Sequence, residues 1–471
     1  EAADLQAMLR SCSLALLALH GASALQVAKP AISTRRADGL RSTAILAASA
    51  TDEGQASLPS STANLVKSIV GSGVLSLPVG LAAFSSSRAA LVPALALLSV
   101  AGTVSGYCFS MVARVCAATD SSSWGEAWSK SVGEKSSWVP PALIGLLTLS
   151  VSIQYTMVIG DSFSSIFSAW GLPALLASRT GAIAALTAFG TLPLSLLPSL
   201  SALSFTSALG VAGLLYTAAF MVLRMSSYGP GSALHAAVPP PLRPRFEGAL
   251  AFSPKVFVLV SILASAFLCH FVAPNFYEEL APGAGAAPAK ERKMRRFSLL
   301  TAGGFALSAA LTAVVMAAGF LTFGGACDGF ILNNYAPTDR LAQLARVAIG
   351  SQIVFTYPFI HVGLRDSAQA LLASVFGKAP ARVPTTFGIF ALTTAIAISL
   401  TNLGLIAAVT GALVSTSIGY VLPSLMLGQT LARRVRAGGA SRGDKLELLA
   451  ARGITALGVA LAGIGVWSCF V

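Results

Sequence analysis

Two apolar stretches of this sequence carry residues that interrupt a helix. The first stretch, residues 61–84, has Gly71-Ser72-Gly73 at its middle and Pro78 soon after. Glycine weakens a helix and proline removes a backbone donor, so the peptide groups here are expected to lack helical partners. Inside hydrocarbon, such groups persist only where they face protein or a wet cavity. Unpaired backbone dipoles at that depth can bind a charged small solute and a coupling ion.

The second stretch, residues 265–280, has His270 at its middle, followed by Pro274 and Asn275. Because a histidine and a proline are costly in an apolar membrane helix, we interpret His270 as a residue that lines a site. A hydrogen-bonded core histidine is the alternative. For the glycines of the first stretch, the alternative is close packing of two helices.

The composition indicates which elements must position these residues. Hydrophobic residues make up 55% of the 471 residues and charged residues only 10%, whereas soluble proteins carry about 25%. The sequence therefore predicts an all-α polytopic membrane protein whose main partner is the lipid bilayer. The net charge of +13 does not indicate a nucleic-acid partner, because basic residues concentrate in predicted loops. No cofactor or metal is expected, since the six cysteines have no zinc-site spacing.

About eleven stretches are long enough, at ~20 residues, to cross a membrane. We number them as segments 1 to 11: 62–84, 90–116, 139–166, 180–198, 201–224, 253–280, 297–323, 341–371, 384–403, 405–431 and 449–471. Pro198 separates segments 4 and 5, and Asn402 separates segments 9 and 10. Basic residues are more numerous in the loops on one side of the membrane, and the positive-inside rule places that side, with the N-terminus, inside. A smaller set of basic residues, which includes Arg179 and Arg346, is predicted to lie outside.

The loops divide the chain into five parts. Segments 1 to 5 span residues 62–224, a Pro/Gly-rich loop follows at 225–252, and segments 6 to 10 span 253–431. Residues 432–471 form a basic loop and a peripheral helix, and residues 1–61 are of low complexity. Because five is odd, the second set must enter the membrane in the opposite sense to the first. We therefore predict an inverted repeat whose first helices, segments 1 and 6, are both broken.

Five segments carry short motifs in a fixed order: Asn64-x-x-Lys67-x-x-x-Gly71-x-Gly73-x-Leu75-x-Leu77-Pro78; Gln154-Tyr155 with Ile159-Gly160-Asp161; Pro193-Leu194-Ser195; Cys269-His270 with Tyr277-x-Glu279-Leu280; and Thr356-Tyr357-Pro358 with Arg365-Asp366. This order resembles the amino acid/auxin permease family over residues 62–471. The resemblance implies a leucine-transporter-type fold and secondary active transport of amino acids by alternating access. Aromatic amino acid permeases and transporter-like sensors are the alternatives. A membrane enzyme is disfavoured, because the four histidines are scattered and most acidic residues lie in loops.

An amino acid substrate presents a carboxylate and an ammonium group. The half-helix that starts near Ser72 offers N–H donors to the carboxylate, and unwound carbonyls of segments 1 and 6 suit the ammonium. Neither break carries a carboxylate to neutralise a cationic side chain, which favours neutral amino acids. The predicted substrate-binding residues are Val70, Gly71, Ser72, Gly73, Val74, Tyr155, Cys269, His270 and Phe271.

The predicted ion-coupling residues are Asn64, Lys67 and Thr356. The resemblance implies this role, because sodium-coupled proteins similar to this chain carry an Asn where Lys67 stands and a Thr at the place of Thr356, whereas proton-coupled ones often carry a Lys in place of that Asn. Asn64, Lys67 and Gly71 are spaced to share one helix face. An ammonium group cannot ligate sodium but can stand in for a bound cation and exchange a proton. Lys67 therefore predicts proton-driven or uncoupled transport rather than sodium coupling. A lysine that extends to the membrane surface and only anchors the helix is the alternative.

The N-terminal part resembles a targeting sequence. Arg10 precedes the apolar run 11–19 and the small residues of 22–24, and residues 25–61 are basic and rich in Ala, Ser and Thr. A two-part plastid address is one interpretation, and a disordered cytosolic tail is the other. The plastid envelope, the vacuolar or other endomembranes and the plasma membrane all stay open. The substrate's identity and the oligomeric state do not follow from these residues.

Overall fold

The structure is a computed structural model that describes residues 56–197, 206–249, 253–284, 286–378 and 380–470. Within these residues the regular structure is helical, with two isolated β-bridges that join Ala56 to Leu280 and Arg245 to Gly324. The all-α prediction is confirmed. Residues 1–55 of the predicted targeting segment lie outside the described residues.

Eight helices of the described part are long and apolar enough to cross a membrane, and the bent segment 1 makes nine. The eight correspond to segments 2, 3 and 6 to 11, and the predicted total of eleven stays a prediction. Their bounds are Arg88–Thr119, Glu134–Ala169, Val256–Glu279, Ala289–Phe323, Arg340–Ala373, Arg382–Ser399, Leu403–Arg436 and Arg442–Ser468. Segment 4 comprises Arg179–Leu186, a π turn at Thr187–Thr191 and Leu192–Leu196, and segment 5 is Thr206–Arg224.

Side-chain caps set some of these boundaries. Asn402 accepts a hydrogen bond from the Leu405 amide at 2.9 Å and so begins segment 10 at Leu403. This confirms the predicted division between segments 9 and 10. Ser441 and Asp444 form a reciprocal capping box at the start of segment 11. The predicted division at Pro198 lies outside the described residues.

Both predicted breaks are present. Segment 1 bends by 45° between its two halves, and neither it nor segment 6 is a continuous α-helix. The broken-helix prediction is therefore confirmed. The elements are Leu58–Ile69, a 3-10 turn at Ser72–Ser76 and Leu77–Phe84 in segment 1, and Val256–Ala266, a 3-10 turn at His270–Val272 and Ala273–Glu279 in segment 6.

Segment 7 lies across both halves of segment 1 through two glycines. A Cβ atom on Gly304 would lie 2.6 Å from Cδ2 of Leu65, in the first half. A Cβ atom on Gly319 would lie 2.6 Å from Cγ of Pro78, in the second half. Both distances are too short for any side chain, so glycine is what allows this close packing.

Polar contacts mark the two ends of the helix bundle. At the end where segment 1 begins, here the N-terminal end, the Ala56 amide donates to the Glu279 carbonyl at 3.0 Å. Lys290 pairs with Asp120 there at 2.9 Å, and this ion pair holds the pKa of the Asp120 carboxyl below its usual range. At the opposite end, Arg224 pairs with Asp339.

The Pro/Gly-rich loop packs against the opposite end of the bundle. Its Tyr228 is fully buried and donates to Asp339 at 3.1 Å, and the Arg245 amide donates to the Phe323 carbonyl at 3.1 Å. Tyr228 also stacks edge-on with Tyr335 at a centroid distance of 5.3 Å. The sequence predicted a Pro/Gly-rich loop here, and its described residues form buried aromatic contacts with the helix bundle.

Candidate functional site

The break in segment 1 leaves backbone groups without helical partners. Helix Leu58–Ile69 ends at Val70, whose amide bonds to the Val66 carbonyl at 2.8 Å. Gly71 is extended, with φ −110° and ψ −169°, and the next helical turn begins at Ser72. The first amides of a helix have no acceptor inside it, so those of Ser72 and Gly73 lie at its positive end.

Open space lies beside the two glycines of this break. A Cβ atom built on Gly71 or on Gly73 would meet no neighbouring atom within 4 Å. Gly304 and Gly319 behave in the opposite way, since their Cβ atoms would collide with segment 1. The alternative that Gly71 and Gly73 let another helix pack closely is therefore wrong. Val70 and Val74 on either side are buried.

The break in segment 6 is closed by side chains from other helices. The indole N–H of Trp124 donates to the His270 carbonyl at 2.8 Å, and the Val272 amide donates to the Cys269 carbonyl at 3.0 Å. Cys269 is fully buried and Phe271 is half-buried. Trp124 belongs to the short helix Trp124–Ser131, which the sequence analysis did not connect to this break.

The His270 ring is enclosed by protein. Its Nε2 lies 2.9 Å from the Ser105 carbonyl, and the side chain is 1% exposed. Three aromatic rings, those of Phe109, Phe305 and Tyr420, lie edge-on to it at centroid distances of 6.0 to 6.4 Å. The imidazole thus occupies the place of a hydrogen-bonded core histidine, which was the alternative to a site-lining role.

Segment 3, which carries the predicted residue Tyr155, has hydroxyl groups that bond to neighbouring segments. Tyr155 is half-buried, and the neighbouring Thr156 hydroxyl lies 3.4 Å from the Tyr357 hydroxyl. Tyr357 in turn lies 3.3 Å from the Thr393 hydroxyl, so segments 3, 8 and 9 share one network. Ser150 bonds to Thr410, just before the π turn Gly411–Ser415 of segment 10. These hydroxyl groups were not predicted as site residues, although serine and threonine within apolar segments were a sequence signal for them.

The predicted ion-coupling residues do not form one cluster on a continuous helix face. The helix ends at Ile69, so Gly71 does not share the face of Asn64 and Lys67, and that part of the prediction is wrong. Asn64 is exposed and Lys67 is half-buried. Thr356 is half-buried in segment 8. In the described part of the chain, Lys67 has no hydrogen-bond or ion-pair partner.

A cavity of about 400 Å³ opens at the opposite end of the bundle. Arg179 pairs with Asp161 beside it at 2.7 Å. From the sequence, Arg179 and Arg346 were interpreted only as basic loop residues. Arg346, however, lies within apolar segment 8, and an arginine in such a segment indicates a functional site. Polar residues of the cavity lining include Asp161, Ser164, Asp328, Asn333 and Arg346.

No group of three or more His, Cys, Asp or Glu residues is placed to hold a metal ion in the ranges that the structure describes. A pair of broken helices within a bundle of membrane-length helices, with space at one break, defines a polytopic transporter. The chain belongs to the family of transmembrane amino acid transporter proteins, whose model matches residues 54–468. It is a multi-pass membrane transporter and not an enzyme, and the predicted family is confirmed.

Individual relatives share this family at low identity. A Danio rerio protein, provisionally named sodium-coupled neutral amino acid transporter 11, is 27% identical over 79% of this chain and 78% of its own length. Vacuolar amino acid transporter 2 of Saccharomyces cerevisiae is 23% identical over 76% of this chain and 74% of its own. The inward-facing conformation of Mhp1 superposes with a TM-score of 0.52 at 13% identity, over 89% of this chain and 91% of that one. This likeness confirms the leucine-transporter-type fold.

Proposed function

We propose that this protein moves neutral amino acids across a membrane by alternating access around the break in segment 1. The observation that carries the proposal is the open space beside Gly71 and Gly73, at the start of a helix whose first amides lack acceptors. An α-carboxylate fits such a place, because N–H groups and the helix dipole both favour an anion. Val74 and Tyr155 would then border the bound amino acid.

The ammonium group is proposed to bind carbonyl oxygens of the unwound backbone at Val70 and at Cys269–Phe271. The His270 carbonyl accepts from both the Trp124 indole and the Ala273 amide, so the ammonium is assigned to the carbonyls on either side of it, those of Cys269 and Phe271. The sequence has no Asp or Glu at residues 58–84 or 256–277. A cationic side chain would therefore meet no counter-charge from either break, which supports a neutral substrate. The name of the Danio rerio relative is consistent with this.

Coupling to protons is proposed to depend on Lys67. The ammonium is half-buried three residues before the break and has no partner among the described residues. It can supply the positive charge that a bound sodium ion would otherwise provide, and the coupling roles of Asn64 and Thr356 stay predictions. An ammonium offers no lone pair to sodium. The proposal is thus proton-driven or uncoupled transport.

Uptake of labelled neutral amino acids into proteoliposomes tests the proposal. Wild-type uptake should follow an imposed pH gradient, or proceed without one, and should not require sodium. Lys67→Asn should change the ion dependence, and Lys67→Met, which offers neither a proton nor an oxygen, should lower uptake under every gradient. Uptake that needs sodium and ignores pH would contradict the role of Lys67. Binding without any uptake would instead identify a sensor.

The membrane itself is a separate proposal. The N-terminus is proposed to face the inside, and residues 1–60 to direct localisation rather than transport. Fusing these residues to a fluorescent protein distinguishes a plastid from a vacuolar or plasma membrane destination. A diffuse cytosolic signal would contradict the plastid address.

A further inference from the structure

We propose that the cavity lined by Asp161, Asp328 and Arg346 is a second binding site, which holds the zwitterionic head of an α-amino acid outside the central break. The inference rests on the proposed function, because it takes amino acids as the cargo. It assigns a role to charged groups at the opposite end of the bundle that the break in segment 1 does not use.

The first observation is the unfinished hydrogen bonding of Arg346. Its side chain is 2% exposed, and Nη2 donates to the carbonyls of Leu332 and Tyr335 at 2.7 Å each. Nε and Nη1 are buried and have no hydrogen-bond partner among the residues that the structure describes. Leaving buried charged donors unpaired is costly, and a guanidinium edge matches a carboxylate. Because Arg346 lines the cavity, a ligand there can supply that carboxylate.

The protein does not provide the carboxylate itself. Asp339, six residues after Asn333 at the same end of the bundle, accepts from Arg224 at 3.0 and 3.1 Å and from Tyr228 at 3.1 Å. Across the described ranges, no ion pair joins Arg346 to an acidic residue. The guanidinium is therefore held in place by carbonyls, and no carboxylate of the described residues forms an ion pair with it.

The second observation is the acidic side of the same cavity. The negative charge of Asp161 is balanced by its ion pair with Arg179. Oδ1 of Asp328 accepts from the Phe330 amide at 2.9 Å and from Asn333 at 3.0 Å, which fixes its orientation. One cation and one anion are then left on the lining, which is the charge pattern that complements a zwitterion. A volume of about 400 Å³ is within the range of small-molecule sites.

Cysteine protection measures occupancy of this cavity in the full chain. Ser168 is an exposed residue of the lining, so Ser168→Cys in nanodiscs can be labelled with a membrane-impermeant maleimide, with the unsubstituted chain as background. The probes are L-alanine, L-alaninamide, which lacks the carboxylate, and acetate, which lacks the ammonium. L-alanine should slow labelling at concentrations about tenfold below those of the other two. The protection should persist with Gly73→Val, which fills the central space.

Variants separate binding from folding. Arg346→Gln should raise the protecting L-alanine concentration about tenfold and remove the difference between L-alanine and L-alaninamide, which a purely structural role would leave intact. Because Arg346 also holds the Ile331–Asn334 turn, Ser164→Leu provides a second variant that narrows the cavity without altering its charges. Arg340→Gln, an exposed arginine on the same helix, should change nothing.

The possible outcomes distinguish failure of the second binding site from failure of the transport proposal. Uptake without any protection of Ser168→Cys would overturn the second site and leave the transport proposal standing. Protection without uptake would do the reverse. Equal protection by acetate and L-alanine would show a general anion site and overturn the zwitterion assignment. Loss of protection with Gly73→Val would show that only the central site is occupied, and would overturn the second site as well.

Discussion

The two broken segments occupy matching places in the sequence but differ in what surrounds them. The break in segment 1 has open space beside Gly71 and Gly73. The break in segment 6 is filled, with Trp124 on a carbonyl, a fully buried Cys269 and the His270 ring among aromatic side chains. Under the proposed function, segment 1 would receive the ligand beside its glycines, and segment 6 would contribute a backbone that other helices hold in place.

The largest expected effect is that of Gly73→Val. The side chain would extend into the open space, because no atom of the described residues lies within 4 Å of the Cβ position. Overpacking against a bound substrate costs about 1–3 kcal/mol, so uptake should fall roughly tenfold or more at sub-saturating substrate. Proteoliposome uptake at matched protein level measures it.

Gly463→Val is the matched control for that substitution. Gly463 lies on the exposed face of segment 11, and its Cβ would also meet nothing within 4 Å. It should transport as the wild type does. If Gly73→Val transports as well as Gly463→Val, the open break is not the binding place.

Trp124→Phe tests whether transport depends on the hydrogen bond from Trp124 to the break in segment 6. The change keeps an aromatic ring but removes the indole N–H that donates to the His270 carbonyl, which still accepts from the Ala273 amide, so the cost is that of one hydrogen bond, about 0.5–1.5 kcal/mol. We expect a lower midpoint of thermal unfolding and slower uptake. Trp128→Phe is the control, because Trp128 donates to the Ser136 hydroxyl away from the break. Equal loss of transport in both variants would contradict a specific role of the closure.

His270→Phe should have the smallest effect. The ring volume is kept, and one hydrogen bond to the Ser105 carbonyl is lost, which costs about 1 kcal/mol. We expect reduced stability with an unchanged KM for the transported amino acid. A raised KM at normal stability would restore the site-lining role that the sequence predicted for His270.

The sequence was most informative where helix-breaking residues and apolar length decide the structure. Gly71, Gly73 and Pro274 indicated both breaks, and Asn402 indicated a boundary, because these effects are local. Tertiary contacts decided the rest. Nothing near His270 in sequence indicates that Trp124, 146 residues away, binds its carbonyl. The π turns of segment 10 and the buried folding of the Pro/Gly-rich loop likewise depend on distant partners.

The two glycine contacts of segment 7 have a mechanical consequence. Gly304 and Gly319 are fifteen residues apart, about 22 Å along one continuous helix, and they hold Leu65 and Pro78 on either side of the gap. Segment 7 therefore links the two halves of segment 1 across the break. The halves of segment 1 cannot drift apart independently while it stays straight. We therefore expect the two halves of segment 1 to move together with segment 7, so that the gap between them keeps its shape.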